Sequence, residues 1–100
     1  MKLSVLNRIL IGNLIPQKGS YETLIIAEDI RKKTTLTQEE ITEFELVSQH
    51  QTITWNKEKA KDLEIELTEA EKGIIKEQLK QLSEQKELTL EMIELYKLFN

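Results

Sequence analysis

The segment FELVSQHQTITWNKEKAKDLEIEL, Phe44–Leu67, decides the fold because it contains three short runs with the alternation of β-strands. Every second residue of the last run is apolar: Leu63, Ile65 and Leu67. A period of two puts these side chains on one face and the intervening acids on the other. In the middle run Ile53 and Trp55 alternate with threonines, which favour strands. The first run, from Phe44, ends in polar residues near His50 that are typical of a hairpin turn. The pattern predicts a three-stranded antiparallel meander with one apolar face.

Two helices are predicted before this segment. The first covers residues 3–14, where leucines recur at helical spacing, and Pro16 ends it. The second covers residues 21–33, with Ser20 as N-cap. Its buried face is predicted to contain four residues: Leu24, Ile25, Ala27 and Ile30. We expect Trp55 to anchor the core beneath these helices together with Phe44.

Capping signals mark the remaining helices. Thr37 and Glu40 have the spacing of a capping box and predict a short helical turn, and Thr68 with Glu71 predicts a helix over 69–84. Thr89 is predicted to cap a final helix, 90–99, which is apolar on two sides. The expected fold class is therefore α+β, a three-stranded antiparallel meander packed against about four helices, in a single domain of residues 1–100.

Composition narrows the class of protein. The chain has 39% hydrophobic and 32% charged residues, which is typical of a globular domain. No apolar run reaches the length of about 18 residues that a membrane span needs, so we expect no membrane contact. The chain contains no cysteine, which excludes disulfides and thiolate metal sites and fits a cytoplasmic location.

Charge is distributed unevenly along the chain. Residues 1–36 carry six basic and three acidic groups, a net +3, and residues 37–100 carry eight basic and fifteen acidic groups, a net −7. Attraction between the two parts inside the fold is the simplest interpretation, and a basic or acidic face for a partner is the other. The acidic total and the two arginines do not favour direct nucleic-acid binding.

Catalytic motifs are absent from the sequence. The one histidine, His50, falls in the predicted turn, and no glycine-rich phosphate loop or calcium loop is present. Clustered carboxylates, either at Glu39, Glu40 and Glu43 or on the last strand, keep a metal-assisted enzyme open as an alternative. We nevertheless expect no catalytic residue, no metal ligand and no cofactor.

Five residues are candidates for contact with a protein partner. Two lie on the final helix and three on the outer face of the last strand: Tyr96, Phe99, Asp62, Glu64 and Glu66. The helix is apolar on two sides, which predicts that one side packs on the core and the other binds a partner. The strand acids also permit an acidic nucleic-acid mimic that inhibits a host enzyme or defence system.

The order of short motifs gives one resemblance, which covers nearly the whole chain. The motifs are Leu14 through Pro16 to Gly19, then Thr23-Leu24, Thr37 to Glu40, the Ile-Thr-Trp-Asn run Ile53 to Asn56, and Glu87 to Thr89. This order is similar to that in small proteins of tailed bacteriophages and prophages of Gram-positive hosts. The chain departs from their pattern by an inserted Ile15 and by Glu-Leu-Thr in place of Lys-Leu-Thr. The resemblance implies a phage origin and expression in the host cytoplasm, and no functional residue.

The sequence thus predicts a small non-enzymatic protein that binds a host or phage protein. Open sheet edges in such a small fold also favour self-association, so a homodimer is a further hypothesis.

Overall fold

A computed structural model describes all 100 residues and contains five helices and four short strands. In chain order they are β1 Lys2–Leu3, α1 Val5–Leu14, α2 Tyr21–Thr34, α3 Gln38–Glu43, β2 Val47–Gln49, β3 Thr52–Thr54, β4 Leu63–Glu64, α4 Glu69–Glu84 and α5 Met92–Phe99. Helices α1, α2 and α4 contact one another, and α5 packs on α4. The predicted α+β class is confirmed.

The core lies between these helices. Its thirteen buried residues come mainly from α1, α2, α4 and α5, together with Leu3, Ile65 and Leu67 from the strand regions. Ile11, Ile30, Ile75 and Leu79 lose all contact with solvent. Burial of such side chains, at about 25 cal/mol per Å² of apolar surface, is the main stabilising term.

The three-stranded meander does not form. Instead β2 pairs with β3, and β4 pairs with β1 at the start of the chain, so there are two antiparallel pairs. The cause lies at Asn56, whose side chain accepts a hydrogen bond from the amide of Glu58 and whose carbonyl accepts one from that of Ala60. This local turn leads the chain away from β3 before it reaches β4.

The first predicted strand also begins later than expected. Phe44 is the C-cap of α3, and Glu45 adopts a left-handed conformation with φ of 57°. The amides of Glu45 and Leu46 donate to the carbonyls of Thr42 and Ile41, which is the Schellman arrangement. The reversal places Phe44 in a buried position and starts the strand at Val47.

The β2–β3 hairpin projects from the helices. His50 and Gln51 form its two-residue turn, both with positive φ, which is the type I′ geometry that suits strand twist. All six strand residues are exposed. Trp55, which follows β3, is only half-buried and lies outside the core cluster, so the prediction of a core anchor was wrong.

The predicted helix starts are largely correct. Ser20, Thr37 and Thr68 cap their helices through side-chain oxygens, and both predicted capping boxes are present. Ser4 forms a third capping box with Asn7, so α1 begins at Val5 and the preceding residues form β1. The prediction that Thr89 caps α5 was wrong, since α5 starts at Met92 without a side-chain cap.

Candidate protein-binding surface

The outward side of α2 carries an unusual amount of exposed apolar surface. Tyr21 is 79% exposed, Ile25 43% and Leu24 36%. At 100° per residue these three side chains and the following Glu28, Arg31, Lys32 and Thr35 fall within an arc of about 120°. We call this set the α2 stripe. It is apolar in its first half and charged in its second.

The burial prediction for α2 was half right. Ala27 and Ile30 are buried as expected, whereas Leu24 and Ile25 are exposed. The reason is geometric, because the four consecutive apolar residues Leu24–Ala27 are spaced about 100° apart and surround the whole helix. One helix face cannot bury all four. That run was the signal from which this surface could have been found in the sequence.

An open pocket of about 540 Å³ lies between the α2 stripe and the end of α1. Its lining, which we call the α2 groove, consists of Ile15, Pro16, Gln17, Leu24, Ala27, Glu28, Arg31, Lys32 and Thr35. Pro16 explains its position, because proline disfavours helical geometry in the preceding residue. Ile15 accordingly has an extended backbone, with ψ of 143°, and the chain turns there before Ser20 starts α2.

The charged end of the groove has one cation without a partner. Glu28, the only carboxylate of the lining, lies 3.2 Å from the ammonium nitrogen of Lys32. The guanidinium of Arg31 takes part in no ion pair and no hydrogen bond of the structure. The backbone carbonyl of Arg31 accepts from the amide and from the hydroxyl of Thr35. The guanidinium therefore offers all five N–H donors to solvent or to a ligand.

A buried arginine holds the C-terminal end of α2. The Arg8 guanidinium donates to the backbone carbonyls of Thr34 and Thr35, each at 3.0 Å, and to both carboxylate oxygens of Glu40 at 2.6 and 2.9 Å. Its side chain is 1% exposed. The hydrogen bond from Arg8, aided by one from the amide of Thr37, lowers the pKa of the Glu40 carboxyl from 4.5 to about 2. The pair thus fixes α2 to α1 and α3.

A second ion pair fixes the opposite side of α2. The ammonium of Lys33 lies 2.7 Å from Oε1 of Glu71, which also accepts from the amide of Thr68 at 2.8 Å. Burial opposes ionisation of Glu71, but the hydrogen bonds from Lys33 and Thr68 outweigh it and lower the pKa of the carboxyl. Because α2 is held from two sides, the α2 groove is a preformed surface.

The acidic face predicted on the last strand is exposed, but one of its three acids is paired with a cation. Asp62, Glu64 and Glu66 are all exposed, and Ile65 and Leu67 are buried as the alternation predicts. Leu63 was predicted on the same apolar face but is exposed. Glu64 lies 2.7 Å from the amino group of Met1, and hydrogen bonding by that group lowers the pKa of the Glu64 carboxyl. A cation is therefore bound in the middle of the three acids.

The two predicted contact residues of α5 both face the core. Phe99 belongs to the core cluster and Tyr96 packs against it half-buried, so neither is freely presented. Leu90, Ile93 and Leu98 are the exposed apolar residues of this region. Ile93 and Leu98 lie about 140° apart around the helix, on opposite flanks of its buried face. They do not join into one surface, unlike the residues of the α2 stripe.

The candidate catalytic and metal-binding side chains do not converge. No group of three or more His, Asp or Glu side chains is placed to hold a metal ion. Of the acids at Glu39, Glu40 and Glu43, the second is engaged by Arg8 and the third lies 3.7 Å from Lys61. His50 occupies the exposed hairpin turn, as predicted.

No helix combines the length and the apolar character that crossing a bilayer requires. Comparison of the chain with protein-family models, with curated proteins and with solved structures gave no match.

Proposed function

We propose that this protein is a small non-enzymatic interaction protein that binds a protein partner through the α2 groove. The observation that supports this most is the exposure of Tyr21, Leu24 and Ile25 beside a preformed groove. Contiguous exposed apolar surface with a polar rim is typical of interaction sites, because leaving it in water costs free energy that a partner recovers.

A protein segment suits the surface better than a small ligand does. The stripe runs from Tyr21 to Thr35, which at 1.5 Å per residue is about 21 Å, or four helical turns. An amphipathic segment laid along a helix-lined groove is a recurring mode of recognition and uses that length. The preformed backbone lowers the entropic cost of binding.

Origin and location belong to the same proposal. The motif order resembles that of small phage and prophage proteins, and this resemblance supports a phage-encoded protein that acts in the host cytoplasm on a host or phage protein. A homodimer uses the same surface if two α2 stripes face each other.

The test is affinity capture with a matched control. Tagged wild type, Leu24→Asp and Leu90→Asp proteins are incubated with host lysate, infected and uninfected, and bound proteins are identified by mass spectrometry. Leu90 is 85% exposed and lies outside the groove, so its variant controls for the added charge. We expect a stoichiometric partner with wild type and Leu90→Asp and at least a tenfold loss with Leu24→Asp. Capture that is unchanged by Leu24→Asp would remove the groove as the binding surface.

A further inference from the structure

We propose that the α2 groove takes an acidic, amphipathic peptide segment of the partner, whose aliphatic side chains cover Leu24 and whose carboxylate pairs with Arg31. This inference rests on the proposed function and names the chemistry of the partner. It follows from what each end of the groove lacks.

The first end lacks apolar cover. Ile15, Pro16 and Leu24 line it, and Tyr21 and Ile25 extend the apolar surface along the helix. Aliphatic or aromatic side chains of a peptide would remove this surface from water. A polar segment would not gain the free energy that burial of this apolar surface provides.

The second end lacks an anion. Of the two cations in the lining, Lys32 has Glu28 at 3.2 Å, whereas no carboxylate lies within 4.0 Å of Arg31. A guanidinium presents a planar fork of donors that matches a carboxylate with two parallel hydrogen bonds. The hydroxyl of Thr35 and the amide of Gln17 add neutral polar groups at the rim and no negative charge. The charge of this end therefore favours an acidic segment over a basic or neutral one.

The two ends set a spacing for the ligand. Leu24 and Arg31 are seven residues apart on α2, which corresponds to about 10 Å along the axis. A helical peptide spans this distance when its apolar residue and its acid are seven positions apart. An extended peptide spans it when the two residues are three positions apart. This spacing separates the proposal from general attraction of any acidic protein to any exposed cation.

The experiment selects ligands from a displayed library of random 14-residue peptides. Purified wild-type protein is the bait, and peptides that also bind Leu24→Asp are removed. The Kd of selected peptides is then measured by fluorescence anisotropy for wild type, Arg31→Gln and Lys18→Gln. Lys18 is also exposed and in no ion pair but lies outside the groove, so it controls for the change in net charge. Tyr21→Asp replaces Leu24→Asp if circular dichroism shows that the latter is misfolded.

We expect selected peptides to combine apolar residues with Asp or Glu at one of the two spacings. Arg31→Gln is expected to weaken binding at least tenfold and Lys18→Gln less than twofold. Neutral peptides that lose binding in Leu24→Asp but not in Arg31→Gln would overturn the acidic partner and leave the groove as a binding surface. If every peptide selected on the wild type also bound Leu24→Asp equally well, both proposals would be overturned. A dimer in sedimentation that Leu24→Asp dissociates would make a second copy of this chain the occupant and overturn the inference.

Discussion

Replacing Arg8 by methionine is expected to be the most damaging change to a charged residue in this protein. Methionine fills much of the same space and keeps the helix propensity of α1. It removes the donors that serve the carbonyls of Thr34 and Thr35 and both oxygens of Glu40. The carboxylate then stays in a site where its side chain is only 18% exposed, without its cation.

The expected loss is about 3–5 kcal/mol, the range seen when one partner of a buried ion pair is removed and the other charge remains. That is a large part of the roughly 5–15 kcal/mol by which domains of this size are stable. Adding Glu40→Gln to Arg8→Met removes the stranded charge and keeps an acceptor for the amide of Thr37. The double variant should therefore lose less free energy of unfolding than the sum of the two single variants, by at least about 1.5 kcal/mol.

Urea unfolding at pH 7, followed by circular dichroism, gives these free energies from the midpoint and slope. Lys32→Met is the control, because Lys32 and Glu28 are 69% and 65% exposed, and such a pair contributes less than about 0.5 kcal/mol. A loss below about 1 kcal/mol in Arg8→Met would refute the reasoning. So would strict additivity in the double variant.

Four further predictions concern the stability of the fold. In urea unfolding, Glu71→Gln should lower the free energy of unfolding by about 1–2 kcal/mol because it removes the ion pair with Lys33. Thr68→Ala should lower it by about 1 kcal/mol because it removes the N-cap of α4. No loss in either variant would contradict the assigned contacts. Because the pKa of Glu40 is lowered in the folded state, the ionised carboxylate stabilises the fold above pH 4.5. Up to about 3 kcal/mol of this stabilisation is lost as the pH falls from 4.5 toward 2. An acid titration of Glu40→Gln should therefore show a smaller loss of stability than that of the wild type. Lys86 ends α4 with φ of 60°, so Lys86→Gly should raise the free energy of unfolding by about 0.5–1 kcal/mol, and a decrease would show that the left-handed cap is absent in solution.

Local signals in the sequence were sufficient for most helix boundaries. Capping boxes act within four residues, so Thr37 with Glu40 and Thr68 with Glu71 indicate the correct starts without tertiary information. The sequence did not show that the same two carboxylates also bind Arg8 and Lys33. Those contacts span 32 and 38 residues and depend on how the helices pack.

Strand pairing was predicted less well, because alternation defines a face and not a neighbour. The alternation around Ile65 is correct, yet β4 pairs with Lys2–Leu3, a two-residue strand with no pattern of its own. The candidate site was missed for a related reason. Periodicity assigned Leu24 to the core, and only the packed structure shows that α1 and α4 cover the other side of α2.

The uneven charge of the chain explains why Arg31 is the cation left for a partner. The basic first part supplies Arg8 to Glu40 and Lys33 to Glu71, so two of its cations are used to join it to the acidic remainder. Lys32 is used within α2 itself. The cations of this part that enter no ion pair are Lys2, Lys18 and Arg31, and of these only Arg31 lines the α2 groove. Since the ion pairs between the two parts use Arg8 and Lys33, the fold leaves the unpaired guanidinium of Arg31 beside one uncovered apolar surface. A partner must supply both missing groups in a single segment to gain from both.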